Sequence, residues 1–326
     1  MRVSWNWLGD FVDLDGLTPE AVADRLTMSG MEVEGIERRG AELDGVVLGT
    51  IVTREAHPDA DALSICTVSV GAPEHLTIVC GAPNARQGLR APVALVGATL
   101  PGGLTIKKAK IRGQASAGML CSAAELELDA DASGLLELNA LDAPDGTPIA
   151  SALGVDDAVL DISLTPNRAD GLSIRGVARE VAALFEREFR DAPALPGPAA
   201  TPPTGGERID AVLSVRIEDG DACQRYACAA VRGVRVAPSP PWLRERLEAV
   251  GQRPVNNLVD VTNYILFEQG QPLHAFDLGA IRGGEIVVRR AREGETLVAI
   301  DHVERTLGAD DLVIADAQGP VALAGV

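Results

Sequence analysis

A chain of 326 residues and 34.0 kDa is too long for one ordinary domain, so two or three independently packed units are expected. With 46% hydrophobic and 23% charged residues it is neither disordered, collagen-like nor a coiled coil, and an aromatic content of 3% leaves few platforms on which bases could stack. A net charge of −18 argues, taken globally, against a general nucleic-acid binder. No apolar run reaches the roughly 18 residues that span a bilayer, and the start MRVSWNWLGDF lacks the layout of a secretory signal, so a cytoplasmic protein without membrane contact is expected. Cys66, Cys80, Cys121, Cys223 and Cys228 are odd in number and widely spread, which fits small buried thiols better than a disulfide framework or a zinc site.

In chain order, the first segment reads as a strand and a helix. Thr18 can cap that helix, Pro19 takes its first position, Val22 and Leu26 share a face, and Gly30 can close it. Met31 to Val33 then alternates into an extended stretch. From Leu43 to about Leu141 the runs VVLGTIV, ALSICTVSV, LTIVCGA, PVALVGATL and LTIKKAKIRG, separated by Gly, Pro and Asn, suggest five or so short strands closing a small OB-type barrel, an architecture that often binds oligonucleotides. Ser173 can cap a helix carrying Ile174, Val177, Val181 and Leu184 and ending near Glu188. DAPALPGPAATPPTGG has too much proline and too little bulk to pack, and reads as a linker. Beyond it VLSVRI, RYACAAV, GEIVVRRA and DLVIAD read as strands. Pro240 to Val250 reads as a helix with Trp242, Leu243 and Leu247 turned inward. The apolar end ALAGV, with no turn, cap or charge after it, leads us to expect an incomplete chain.

Charge is distributed unevenly. Between Arg86 and Arg112 lie Arg86, Arg90, Lys107, Lys108, Lys110 and Arg112, with no Asp or Glu among them, and those lysines are the only ones in the chain. Compact ammonium groups gathered in one place suit non-specific phosphate contact, but for a lone KKAK run the preferred reading is a solvated hairpin tip. His57, before Pro58, reads as a strand-end turn residue rather than a ligand or a base. TPNRAD is polar enough for an active-site loop. The structural reading is preferred: Asp161 to Leu164 finish a strand, Pro166 forces an extended approach, and Asn167 to Asp170 bond neighbouring backbone on the way into the Ser173 helix.

Three stretches, HPDADALSICTVSVG from His57, IVCGAPNARQGLRAPVALVGATLP from Ile78 and IRGQASAGMLCSAAEL from Ile111, resemble the tRNA-binding OB module of several translation proteins. LTPNRADGLSIRGVAREVA from Leu164 and NNLVDVTNYILFEQGQPLHAFD from Asn256 resemble the beta subunit of bacterial phenylalanine-tRNA ligase, almost from end to end and in the family's order. The resemblance implies an α+β multidomain chain. A discontinuous N-terminal α/β domain over 1–41 and 151–190 is interrupted by a tRNA-binding OB barrel over 42–150. A linker over 191–206 leads to a partial α/β editing domain over 207–326, truncated on its C-terminal side. It also resolves the lysine run in favour of tRNA, with Arg86, Arg90, Lys107, Lys108, Lys110 and Arg112 as the contact surface.

The editing domain of this family hydrolyses tyrosine wrongly attached to tRNA(Phe). An apolar pocket made for phenylalanine rejects one added hydroxyl only about a hundredfold, so a second hydrolytic site is needed. Carried onto this sequence, that pocket corresponds to Arg253, Thr262, Asn263 and His274. Thr262 and Asn263 can bond the ester end or water, Arg253 can hold phosphate or sugar, and His274 can position water or share its proton. The family's pocket also uses a glutamate beyond the present end, so weak or absent editing by this chain alone is expected. ATP and Mg²⁺ are implied for the holoenzyme, an alpha2-beta2 heterotetramer whose alpha subunit carries aminoacylation. No residue here is assigned to either, because GxxxxGK[ST], GxGxxG after a strand and a well-placed acidic pair are all missing from the sequence. Competing readings are a non-enzymatic tRNA-binding module and a free-standing deacylase acting in trans.

Overall fold

The computed structural model describes residues 1–190 and 208–324, so the expected linker lies outside the described residues. Two compact units result: Met1–Pro193 with Pro240–Pro254 and Tyr264–Gln271, and Ala194–Ser239 with Val255–Asn263 and Pro272–Val326. Two segments expected in the third sequence unit thus cluster with the first part of the chain.

In the first unit, β1 (Arg2–Ser4) runs into the short helix α1 (Trp5–Leu8), where the Ser4 hydroxyl accepts from the Trp7 N–H at 3.1 Å. α2 (Pro19–Met28) begins as its sequence predicts, with Thr18 Oγ1 accepting from the Ala21 N–H and with Val22 and Leu26 buried. β2 (Glu32–Arg39) follows. The next strands are β3 (Val46–Ala56), β4 (Ser64–Ser69), β5 (Leu76–Cys80) and β6 (Arg90–Leu95), then the hairpin β7 (Ala109–Ile111) and β8 (Gln114–Ser116), and β9 (Gly118–Leu120). α3 (Ile149–Leu153) leads to β10 (Asp157–Ser163), and α4 (Ile174–Leu184) completes the stretch.

β10 lies between β1 and β2 in an antiparallel sheet, so a strand more than 150 residues along the chain closes onto the amino-terminal ones. Ser4 Oγ donates to Asp157 at 2.6 Å and the Asn6 N–H at 3.0 Å, which ties this junction although burial pushes the Asp157 pKa up. Val3, Leu160 and Ile162 pack there with Val22, Leu26, Ile174, Val177 and Val181. Trp7 stacks on Tyr264 at 4.6 Å between centroids in the same core.

A five-stranded antiparallel sheet in the order β5-β4-β3-β6-β9 curls into a nearly closed barrel. Alternation puts Cys66 and Val68 inward with Ile51, Ile78, Leu89, Val93 and Leu120. The edge strands β5 and β9 share no ladder, which leaves a seam. One expectation is corrected here: LTIKKAKIRG is not a barrel strand. Lysines at 107, 108 and 110 deny it a continuous apolar face, and its strand part, β7, is exposed throughout and pairs only with β8. The fifth barrel strand is instead Gly118–Leu120, too short to show a period. A Cβ on Gly118, whose φ is 158°, would lie 3.0 Å from the Ala94 carbonyl oxygen, so glycine permits the close β6–β9 approach.

The remaining elements are β11 (Ser214–Ile217), α5 (Pro241–Ala249), α6 (Asn257–Gln269), β12 (Glu285–Arg290), β13 (Thr296–Val298), β14 (Glu304–Thr306), β15 (Leu312–Ala315) and β16 (Pro320–Leu323). The second unit holds a sheet in the order β11-β12-β15-β16 and the separate hairpin β13–β14. RYACAAV forms no strand: Tyr226 and Cys228 do pack on the core around Leu213 and Ile286, but no neighbouring strand offers the run a ladder. α4 stops at Leu184, four residues before the expected end, where Phe185 leaves helical geometry and Glu186 takes φ 53°. Cys66, Cys80 and Cys121 are buried thiols, and Cys223 and Cys228 are half-buried and free.

Candidate nucleic-acid interface

Lys110 sits on the β7–β8 hairpin and Lys107 and Lys108 lead into it, and the hairpin's position is fixed by bonds to the barrel. Arg112 and Gly113, at φ 47° and 92°, make the tight turn between β7 and β8, so Arg112 stands at the tip. Behind it, the buried Ser116 hydroxyl accepts from the Val79 N–H and donates to the Gly118 carbonyl, each at 3.1 Å, and the Ala117 N–H reaches the Thr77 carbonyl. His57 fastens the other strand. Its Nδ1 accepts from the Asp59 N–H at 3.1 Å, which leaves Nε2 protonated and facing the Ile111 carbonyl at 3.3 Å. This is a structural turn histidine, and 5% exposure removes it from solvent chemistry.

Lys107, Lys108, Lys110 and Arg112 are exposed, and among the described residues none of them has an ion-pair partner. The other two cations of the expected surface are engaged elsewhere. Arg86 forms a two-pronged pair with Glu137 at 2.7 and 2.6 Å, whose hydrogen bonds hold the Glu137 carboxyl down at about 2. Arg90 donates to the Leu141 carbonyl at 2.6 Å and to the Ala143 carbonyl, and lies 3.6 Å from Asp145. These guanidiniums bind the returning segment to the barrel. Their acceptors lie about fifty positions away, which no local pattern reveals.

The residues matched to an editing pocket are distributed differently. Thr262 and Asn263, half-buried on α6, and the exposed His274 belong to the second unit, while the exposed Arg253 belongs to the first. Thr262 Oγ1 donates to the Val259 carbonyl at 2.7 Å, which leaves its lone pairs for an incoming donor. The His274 ring lies 4.3 Å from that of Phe276, which packs on the unit's core. Among the described residues no hydrogen bond joins Thr262, Asn263 and His274. Sequence reasoning missed Asp260, wholly buried two residues before Thr262, which accepts from the Ser239 hydroxyl and, at 2.9 Å, from the Val255 N–H. An acid in a helical first turn flanked by valines was the available signal. TPNRAD is held locally: Arg168 pairs with Asp170 and Glu180, and Ser173 Oγ accepts from the Gly176 N–H at 2.9 Å.

No group of three or more His, Cys, Asp or Glu side chains able to hold a metal ion occurs among the described residues. No helix among them is long and apolar enough to cross a membrane.

The tRNA binding domain family matches residues 46–148, and the B3/4 domain family matches residues 222–326. The phenylalanine–tRNA ligase beta subunit of Anaeromyxobacter dehalogenans is 53% identical over 326 residues, all of this chain and 40% of that protein. The namesake proteins of Bacillus licheniformis and Syntrophus aciditrophicus are 46% and 48% identical, again over 100% of this chain and 40% and 39% of theirs. Among solved structures, a MetRS-related protein from Pyrococcus horikoshii aligns over 34% of this chain and 87% of its own at 19% identity, with a TM-score of 0.24. The chain spans about 40% of the length of the curated relatives it matches. Over all of its residues it is therefore related to the phenylalanine–tRNA ligase beta subunits, and it corresponds to their N-terminal portion.

Proposed function

We propose that this chain serves as the N-terminal portion of a phenylalanine–tRNA ligase beta subunit, binding tRNA(Phe) and removing tyrosine wrongly attached to it. The observation that carries this reading is 53% identity over the whole chain, with the tRNA-binding and B3/4 matches in that order. The holoenzyme, in this reading, is a cytoplasmic alpha2-beta2 heterotetramer using ATP and Mg²⁺ on the alpha subunit. The chain itself is a two-part α/β domain with an inserted OB barrel, followed by an editing domain. The four cations at and just before the β7–β8 hairpin, without ion-pair partners among the described residues, take the RNA backbone, and Arg86 and Arg90 contribute by holding the barrel's return segment in place. In the editing step Thr262 and Asn263 bond the ester end or the attacking water, and His274 orients that water.

The test is to purify the complete polypeptide from cells that also produce the alpha subunit. Co-purification, phenylalanylation of tRNA(Phe), and loss of tyrosine release from Tyr-tRNA(Phe) on His274→Ala with charging retained are the expected results. Hydrolysis of mischarged tRNA without any partner would establish a trans-acting deacylase instead. Tight tRNA binding with neither partner nor hydrolysis would leave a binding module.

A further inference from the structure

We propose that the cavity beside the lysine hairpin receives one unstacked, amino-bearing nucleobase of an RNA strand whose phosphates lie on Lys107, Lys108 and Lys110. This rests on the tRNA-binding reading and specifies how the RNA is gripped. The cavity measures about 730 Å³, within the range of roughly 300–1,000 Å³ usual for ligand pockets, and it opens at the seam where β5 and β9 share no ladder. Leu104 and Ile111, 53% and 36% exposed, line it together with Leu135, which is 6% exposed. Apolar side chains left bare at its rim offer the face of a flat base the contact that scarce aromatic residues cannot supply.

The polar lining is small and specific. Ser122 donates to Glu125 Oε2 through both its N–H, at 2.7 Å, and its hydroxyl, at 2.8 Å. That pins the carboxylate in the wall and leaves Oε1 without a hydrogen-bond partner among the described residues. A fixed carboxylate oxygen accepts from an exocyclic amino group and repels a carbonyl, which favours cytosine over uracil. Lys107 lines the same cavity, so one cation faces the phosphate side of the occupant while Glu125 faces its base. Charge complementarity selects a polyanion as the occupant, because Lys107 in the lining and Lys108 and Lys110 next to it in sequence lack ion-pair partners among the described residues of a chain of net charge −18. A paired base cannot enter. Duplex RNA therefore meets the lysines alone.

The test uses the 326-residue chain and three probes: single-stranded RNA octamers of cytidine, octamers of uridine, and a mixed octamer carrying 2-aminopurine, the last also in duplex form. The 2-aminopurine is expected to brighten on binding as a single strand and to stay unchanged in the duplex. Oligo(C) is expected to bind about tenfold tighter than oligo(U). The cavity-filling pair Ala109→Leu and Ser133→Leu should abolish brightening and weaken single-strand binding about tenfold while sparing duplex binding. Glu125→Gln keeps the side-chain shape and should erase or invert the preference for oligo(C). Absent brightening, or single-strand affinity unchanged in the filled variant and base preference unchanged in Glu125→Gln, overturns the cavity proposal. If Lys→Gln at 107, 108 and 110 still weakens duplex binding in that case, the tRNA-binding face stands. If the lysine variant binds every probe as before, both readings fall together.

Discussion

Asp316 has its carboxylate fully out of solvent just past β15. Burial by itself pushes its pKa up; the Arg282 side chain at 2.7 Å and the backbone N–H groups of Arg282, Gln318 and Gly319 outweigh it and hold the carboxyl at about 2. Because the folded value is below the ordinary value of about 3.9, the stabilisation is fully present above pH 4 and is lost as pH falls through about 2. Asp316→Asn should therefore lower stability by about 2 kcal/mol at pH 7, and urea midpoints of the two proteins should converge between pH 4 and pH 2. Arg86 makes a contrasting case. Its guanidinium already faces Glu137, so Arg86→Ala should change RNA affinity far less than Lys→Gln at 107, 108 and 110, as read by filter binding in one buffer. The lysine cluster was legible because it is contiguous in sequence. The commitment of Arg86 and Arg90 was not, since their partners are brought to them only when the barrel folds.

At the scale of elements, α4 shows how closely local grammar and tertiary contact can agree. Ser173 caps it as its sequence predicts, and Ser173→Ala should cost about 1 kcal/mol in urea denaturation. Gly176 carries information that no propensity scale holds: a Cβ there would fall 1.8 Å from the Asp170 carbonyl oxygen. Gly176→Ala should thus destabilise by about 1–3 kcal/mol or more although alanine is the better helix former, because the TPNRAD turn would have to move. That opposite sign, read from the same urea midpoints, is the check. Strands were legible where alternation lasted five or more residues, as in Ser64–Ser69, and illegible at Gly118–Leu120, where three residues cannot show a period of two. LTIKKAKIRG alternates just enough to suggest a strand. Its lysines decide the matter, because an ammonium turned into the barrel would lose its water without gaining a counter-charge.

For the molecule as a whole, the balance of −18 sets a repulsive field against any RNA, and a few unpaired cations must work against it. Affinity for tRNA should accordingly fall steeply with salt. Replacing the three lysines by glutamine should flatten the logarithmic salt slope by roughly 2–3, and an unchanged slope would place the RNA elsewhere. Composition, the capped helices, most barrel strands and the cationic cluster were settled by the sequence alone, since each depends on neighbours within a turn, a strand or a short run. Long-range closure decided the rest. β10 returned to β1, Arg86 and Arg90 found acceptors about fifty residues distant, segments 240–254 and 264–271 joined the first core, and the β5–β9 seam stayed open beside the lysines. Hydrogen bonds and buried contacts between residues far apart in the chain exist only after the backbone has paid its ordering entropy, and a linear pattern of residue types does not encode which of them win.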